Sequence, residues 1–394
     1  MKRILIIHTN MELGGAETSL LGLLHSIDYS RYAVDLFLLE QKGELLRHIP
    51  EQVNLITPDR RYLGVVLPIK DVLLCQHQLG MTAARLLGRL KGRNAADSTY
   101  AIKQYAQNYE MQFLPRIPGT YDMAISFIDP HFIVEQKVDA KVKLGWIHTD
   151  FSRIEVDRGI DFPMWNELNF IVNVSQACKE KFDWLYPELS SKSIVMENIL
   201  AEQFVYTRAE AEDIHSEMPE DGSIRLLSIG RFCEAKNFDN IPSICKFLVQ
   251  QYGLDLHWYL IGYGGGEQKI RNAIVAAGME SNVIILGKKE NPYPYLKGCD
   301  LYVQPSRYEG KCVTVREAQM LGKPVVITDY ATSASQLENG VDGIVVPMDN
   351  EGCARGIAEL LKDPRRMQEL SENCKKRDYS NRREVEKLYQ LLEH

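Results

Sequence analysis

The stretch Ile4-Leu5-Ile6-Ile7-His8-Thr9-Asn10-Met11-Glu12-Leu13-Gly14-Gly15-Ala16-Glu17 decides the fold class. Its opening apolar run reads as a strand covered on both faces, because a half-exposed strand would alternate. A polar loop with a glycine pair follows, and then a helical pattern from about residue 16 to 25. Strand, glycine-bearing loop and helix are the opening of a doubly wound α/β unit. Gly14-Gly15 suits either a close backbone approach to a phosphate or sugar, or simply a tight strand-to-helix turn. The apolar run is too short for a signal-peptide core. No stretch reaches the ~18 apolar residues of a membrane span.

The same alternation continues outward from this start. Strands are expected at 33–39, 53–56, 121–128, 141–147, 170–174 and 193–196, with helices near 43–48 and over 176–185. Residues 201–222 crowd Glu202, Glu210, Glu212, Asp213, Glu217, Glu220 and Asp221 into a segment with little apolar periodicity. That segment reads as an acidic connector, or as a solvated surface helix over 208–217. A second series begins at Arg225-Leu226-Leu227-Ser228-Ile229-Gly230, with strands at 256–261, 283–286, 301–303, 325–328 and 344–346. Helices fill the gaps at 238–252, 266–277, 312–322 and 351–362. Strand–helix alternation in both halves predicts two parallel sheets covered on both faces, two Rossmann-like α/β domains facing a cleft. The expected boundaries are 1–200 and 201–375, with a helix over 376–394 that can cross back to the first domain.

The 394 residues are 45% hydrophobic and 25% charged, with 27 Gly and 16 Pro, which excludes collagen-like and disordered classes. A net charge of -7 argues against a nucleic-acid binder. The eight cysteines include no C-x-x-C pair, so zinc-ribbon and thioredoxin-like readings fail, and a reducing cytoplasm is the simplest compartment. Residues 60–116 run against the average. Arg60, Arg61, Lys70, Arg85, Arg89, Lys91, Arg93, Lys103 and Arg116 face only Asp71, Asp97 and Glu110, with apolar residues at helical spacing. Such a segment is either a basic amphipathic surface for an anionic bilayer or a helical insert with solvated cations.

Chemistry concentrates in Pro305-Ser306-Arg307-Tyr308-Glu309-Gly310-Lys311-Cys312-Val313-Thr314-Val315-Arg316-Glu317-Ala318. On one helix Glu309 and Glu317 would stand ~12 Å apart and off a common face. Glu309 therefore belongs to the loop and Glu317 to the helix, two turns in. The N–H groups of about 310–314, at the positive end of the helix dipole, then form an anion site between two carboxylates that suit sugar or ribose hydroxyls. The plainer alternative is a Glu favoured by the dipole and a surface Glu. Arg231 and Lys236, in the loop after the first strand of the second series, can grip a diphosphate, although surface Arg and Lys are common. Gly262-Tyr263-Gly264-Gly265-Gly266-Glu267 is either a tight turn or a nucleotide-facing loop, and no later acidic partner supports a dinucleotide fingerprint. His148 ends the strand at 141–147 and is expected at the ligand side of the sheet. No Asp-x-Asp, Walker loop, Gly-x-Ser-x-Gly or H-E-x-x-H occurs.

These residues together resemble retaining glycosyltransferases of family 4, also called group 1, which have the two-Rossmann GT-B fold. The resemblance rests on Gly14-Gly15-Ala16-Glu17, His148, residues 228–237, 261–267 and 300–318, and the downstream runs 324–328 and 342–347. It implies a nucleotide-sugar donor, a UDP-sugar first, on the C-terminal domain and a glycan or polyprenyl-linked acceptor on the N-terminal one, with no metal or other cofactor. By position, Arg231 and Lys236 would bind the diphosphate and Glu317 the ribose. Glu309 and the backbone of Gly310, Lys311, Cys312 and Val313 would hold the sugar, with His148 near its reacting end. Gly262 and Glu267 would face the donor, and Gly15, after Gly14, would approach it. Lys311-Cys312 stands where many members have an aromatic residue and Gly, and the loop after Ile261 lacks the Gly-x-Gly-Pro-Glu form. Glu-Gly-Lys variants resemble bacterial enzymes of capsule, exopolysaccharide or lipopolysaccharide assembly, which implies a cytoplasmic hexosyltransferase, peripheral at the inner face of the plasma membrane. Two other classes fit the same fold: a non-hydrolysing nucleotide-sugar epimerase and a catalytically silent nucleotide-sugar-binding protein.

Overall fold

A computed structural model of the chain describes residues 1–94, 98–149, 151 and 156–393. They form two compact units, Met1–Ile199 with Arg382–His394, and Leu200–Asn381. The first unit runs β1 (Lys2–His8), α1 (Gly15–Ser26), β2 (Tyr32–Leu38), β3 (Asn54–Ile56), α2 (Leu63–Val66), α3 (Ile69–Leu74), α4 (Leu79–Gly92) and α5 (Ser98–Glu110). It continues with β4 (Thr120–Ser126), α6 (Phe132–Lys137), β5 (Asp139–Ile147), α7 (Arg158–Glu167), β6 (Phe170–Asn173), α8 (Gln176–Leu185) and β7 (Ser193–Val195).

Its seven strands are ordered β3-β2-β1-β4-β5-β6-β7, and every pairing is parallel. Ile4 sits between Val34 and Met123, and Ile4, Leu5, Ile6 and Ile7 are at most 1% exposed. That double burial is why the strand reads as an unbroken apolar run. The order reverses between β1 and β4, the position where sheets of this kind bind ligands beyond their strand ends. The described residues between 60 and 113 form a helical insert after β3. Tyr62, Val72, Met81 and Met111 seat it in the core that contains Leu5, Phe37 and Tyr121.

The second unit runs α9 (Glu202–Ala209), β8 (Ile224–Ile229), α10 (Ile241–Lys246), β9 (Leu256–Ile261), α11 (Glu267–Ala277), β10 (Val283–Gly287), α12 (Tyr293–Gly298) and β11 (Leu301–Gln304). It ends with α13 (Val313–Met320), β12 (Val325–Thr328), α14 (Ser333–Gln336), β13 (Ile344–Val346), α15 (Asn350–Leu361) and α16 (Pro364–Lys375). Its sheet, β10-β9-β8-β11-β12-β13, reverses between β8 and β11.

The acidic segment after residue 200 is no free connector. Val205, Ala209 and Met218 are buried in the core of the second unit. Its acids meet that unit's own cations, Glu217 with Lys289 at 2.6 Å and Glu220 with Arg225 at 3.0 Å. The acidic composition suggested solvation, but the apolar anchors between the acids decide the packing. After α16 the chain returns to the first unit as α17 (Val385–Glu393). There Tyr389 stacks on Tyr32 with ring centroids 4.4 Å apart. The Tyr389 hydroxyl accepts from Asp28 N–H at 2.8 Å. Among the described residues no helix is long and apolar enough to cross a membrane.

Candidate functional site

Four loops leave the strand ends around the reversal point of the second sheet, joined by backbone and side-chain hydrogen bonds. Residues 230–237 follow β8, 262–266 follow β9, 305–312 follow β11 and 329–332 follow β12. The first two lie back to back, with Phe232 N–H donating to Tyr263 O at 2.8 Å and Gly266 N–H to Phe232 O at 2.9 Å. Gly262 has φ +158°, and a Cβ there would stand 1.9 Å from Gly230 O. This contact demands glycine, so Gly262 has a structural duty in the turn. Glu267 opens α11 and pairs with Arg271 at 2.7 Å on the helix surface.

Glu309 lies at the centre. Its Oε1 accepts from Lys236 Nζ and from Ser306 Oγ, each at 2.6 Å. Behind Ser306 a relay continues, with Gln304 Nε2 donating to Ser306 Oγ at 2.9 Å and Tyr302 OH to Gln304 Oε1 at 2.5 Å. Thr332 Oγ1 donates to Glu309 O at 2.8 Å and Thr328 Oγ1 to Ser306 O at 2.6 Å. The carboxylate is thereby fixed through one oxygen, and Oε2 carries no hydrogen bond among the described residues. Burial by itself lowers the Lys236 pKa, but the Glu309 carboxylate bonded to it outweighs burial and holds the ammonium above the usual lysine range. Arg307 ties the loops together by forking onto Asp239 at 3.1 Å and donating to Glu234 O at 2.6 Å.

Helix α13 begins at Val313, so Glu317 lies about one turn inside it rather than two. It is 5% exposed, and its Oε1 accepts from Tyr293 OH at 2.8 Å. Burial pushes its carboxyl up to about 7, against the pull of the tyrosine bond. The expectation of open N–H groups over 310–314 fails at Cys312. Its N–H donates to Gln336 Oε1 at 2.7 Å, and Gln336 Nε2 returns a bond to Cys312 O at 3.1 Å. Burial also raises the Cys312 thiol to about 11, so it is a neutral packing group and no nucleophile. Gly310 and Val313 are buried beside it, with Lys311 partly exposed. Arg231 is exposed on the neighbouring loop.

In the first unit, Gly14 caps α1 in an extended conformation, φ −169°. A Cβ on Gly14 would come 2.2 Å from Glu17 Oε2, so the Glu17 carboxylate folds over it; Gly15 is the first residue of the helix. Met11 anchors the preceding loop through bonds with Lys42 O and Leu45 N–H. His148 directly follows β5, its ring 4.9 Å from that of Phe127. Its Nε2 is buried without a partner among the described residues. Burial drives its pKa down to about 3, with His8 adding to the effect, so the imidazole is neutral. His8, the last residue of β1, repeats the arrangement. Its Nδ1 lies 2.8 Å from Asn10 O, its Nε2 has no partner among the described residues, and burial lowers it to about 4. The topological rule that singles out His148 applies equally to His8, which the sequence reading missed. Gln336, Thr332 and Tyr293 were missed because nothing local marks residues that act across the fold.

Residues 210–377 match the family described as glycosyl transferases group 1. The two-sheet fold is that of GT-B glycosyltransferases. The chain is similar to the Anabaena protein HepE, solved with UDP and glucose, at TM-score 0.71 and 16% identity over the whole of both chains. It is also similar to Staphylococcus aureus TarM, solved with UDP, at TM-score 0.69 and 14% identity, again over both whole chains. Among curated relatives, the amylovoran biosynthesis glycosyltransferase AmsK of Erwinia amylovora is 32% identical over 35% of each chain. The Campylobacter jejuni N-acetylgalactosamine-N,N'-diacetylbacillosaminyl-diphospho-undecaprenol 4-alpha-N-acetylgalactosaminyltransferase is 27% identical over 41% of this chain and 44% of its own. The chain thus aligns with less than half the length of these two curated relatives.

Proposed function

We propose that this protein is a hexosyltransferase using a nucleotide-diphosphate sugar, a UDP-sugar first, with a glycan or polyprenyl-linked acceptor. The observation that carries the reading is Glu309, held through Oε1 by Lys236 and Ser306 with Oε2 unengaged among the described residues. An ionised carboxylate oriented through one oxygen can accept a sugar hydroxyl with the other. Arg231 and Lys236 supply positive charge where a departing diphosphate would gather negative charge, and a preorganised cation stabilises that charge as it develops. The mechanism assigns no cofactor or metal to the step. Glu317 has the chemistry to receive ribose hydroxyls, and His148, as a neutral imidazole, can accept from a substrate hydroxyl. Retention follows the family resemblance.

The printed roles of the relatives, amylovoran biosynthesis and a diphospho-undecaprenol acceptor, support a place in capsule, exopolysaccharide or lipopolysaccharide synthesis, at the cytoplasmic membrane face. The test is thermal unfolding against a panel of nucleoside diphosphates and their sugars, followed by product analysis. UDP and a UDP-hexose should raise Tm by several degrees at saturating concentration, since a ligand that binds only the folded state stabilises it. A Tm that responds to no nucleoside diphosphate, with no sugar released or transferred, overturns the reading.

A further inference from the structure

The helical insert of the first unit leaves an apolar face uncovered. Helix α4 buries Met81, Ala84, Gly88 and Gly92 on one side. At ~100° per residue, Leu79, Ala83, Leu86, Leu87 and Leu90 fall together within a roughly 100° arc on the opposite side. Leu79 is 71% exposed, Leu90 58%, Leu86 47% and Leu87 43%, and Leu74 at the end of α3 is 67% exposed. A helix covered on one side normally turns polar residues outward, so a leucine stripe there marks a contact surface.

The cations sort in the same way. Arg85 is spent on Glu110, Lys103 on Asp129 and Arg61 on Asp59, and Arg60 donates to Gln76 at 2.6 Å. Lys70, Arg89, Lys91 and Arg93 are exposed and make no ion pair or side-chain hydrogen bond among the described residues. These four lie on or next to α3 and α4, alongside the leucines. The local basicity is therefore divided between internal fastening and a solvent-facing rim around an apolar strip.

We propose that this face docks on an anionic phospholipid bilayer, the leucines entering the acyl boundary and the cations staying at headgroup level. Charge selects the occupant. In a symmetric dimer through the same patch, each cation would face its own kind, whereas an anionic lipid surface complements them. The role of such docking, bringing a lipid-linked acceptor within reach, rests on the proposed function. The binding itself is measured without turnover, so a failure of either claim is read separately.

The full chain is mixed with vesicles of phosphatidylglycerol and phosphatidylcholine, or of phosphatidylcholine alone, and floated through a density gradient. The wild type should float with the anionic vesicles. The double variant Leu86→Glu/Leu90→Glu should lose about tenfold or more of that partition. Arg89→Glu/Lys91→Glu should lose several-fold and leave a remainder insensitive to salt. Both variants change exposed side chains, and an unchanged Tm and nucleotide response would show them folded. The proposal is overturned if the wild type stays unbound at low salt or if the leucine variant floats equally well. It is also overturned if sedimentation velocity shows a wild-type dimer that the leucine variant dissolves.

Discussion

The carboxyl of Glu317 titrates near neutral pH because it is enclosed, with Tyr293 OH as its bonded donor. Its folded pKa of about 7 lies above the ordinary 4.5. The folded state therefore binds the proton more tightly, and stability falls as pH rises through that window. Above it, the buried charge costs on the order of 3 kcal/mol. A hydroxyl donor bonds better to the ionised form, so a nucleotide that needs that acceptor should bind about tenfold more tightly at pH 8 than at pH 6. Calorimetric titration across that range measures it. Glu317→Gln should flatten the profile, weaken binding and raise the urea midpoint at pH 8; a Gln variant with the wild-type profile removes Glu317 from the ligand. Lys236 answers to the same physics with the opposite sign of charge. Replacing it with Met leaves the Glu309 carboxylate enclosed with Ser306 alone as a side-chain donor, and should cost about 3 kcal/mol in denaturant unfolding along with turnover. Lys236→Arg should recover much of the stability.

Between elements, the packing of α4 on α5 depends on the absence of side chains. A Cβ on Gly88 would lie 2.5 Å from Ala106 N, and one on Gly92 would lie 2.4 Å from Ile102 N. The spacing of four residues puts both glycines on the buried face, where backbone meets backbone. Gly88→Val should therefore push the helices apart and cost about 2–3 kcal/mol, read as a lower Tm. A substitution at exposed Leu87 should shift Tm little. This hairpin also shows why the insert was only partly legible in the sequence. Leucines and glycines both recur at helical spacing, and periodicity does not say which stripe is inside. In α4 Ala84, Gly88 and Gly92 are buried beside Met81 while Leu79, Leu86, Leu87 and Leu90 are exposed, against the usual order for leucine and glycine. The parallel strands were far easier to read. Residues 4–7, 258–261 and 325–327 are buried on both faces, so their apolar runs are unbroken. Glu309 and Lys236 stood out as residues, but their ion pair did not, because it joins positions 73 apart in the chain.

Across the whole molecule, the net charge of -7 averages over segments that use their charge differently. The acids after residue 200 fasten the second unit, with Glu217, Glu220 and Glu210 each meeting a lysine or arginine of that unit. The basic insert divides its cations between internal pairs and a free rim. Composition registered both imbalances, but reading charge as solvation mistook the first for a linker, since Val205, Ala209 and Met218 lie among the acids. The chain also closes on itself. Residues from Arg382 onward belong to the first unit although the second intervenes in sequence, so α17 packs as part of that unit. Val385, Leu388, Tyr389 and Leu392 of α17 are all buried, and Lys2 Nζ donates to Leu392 O at 2.7 Å, joining β1 to α17. Tyr389→Ala removes the stacking on Tyr32 and the acceptor for Asp28 N–H, and should cost about 3–4 kcal/mol. Every loop of the candidate site that holds Glu309 and Glu317 lies in the second unit. The variant should therefore lower the stability of the first unit while nucleotide affinity, measured well below the melting transition, stays within about twofold of wild type. A loss of affinity as large as that of Glu317→Gln would mean that the second unit does not hold its ligand site independently of the returning helix.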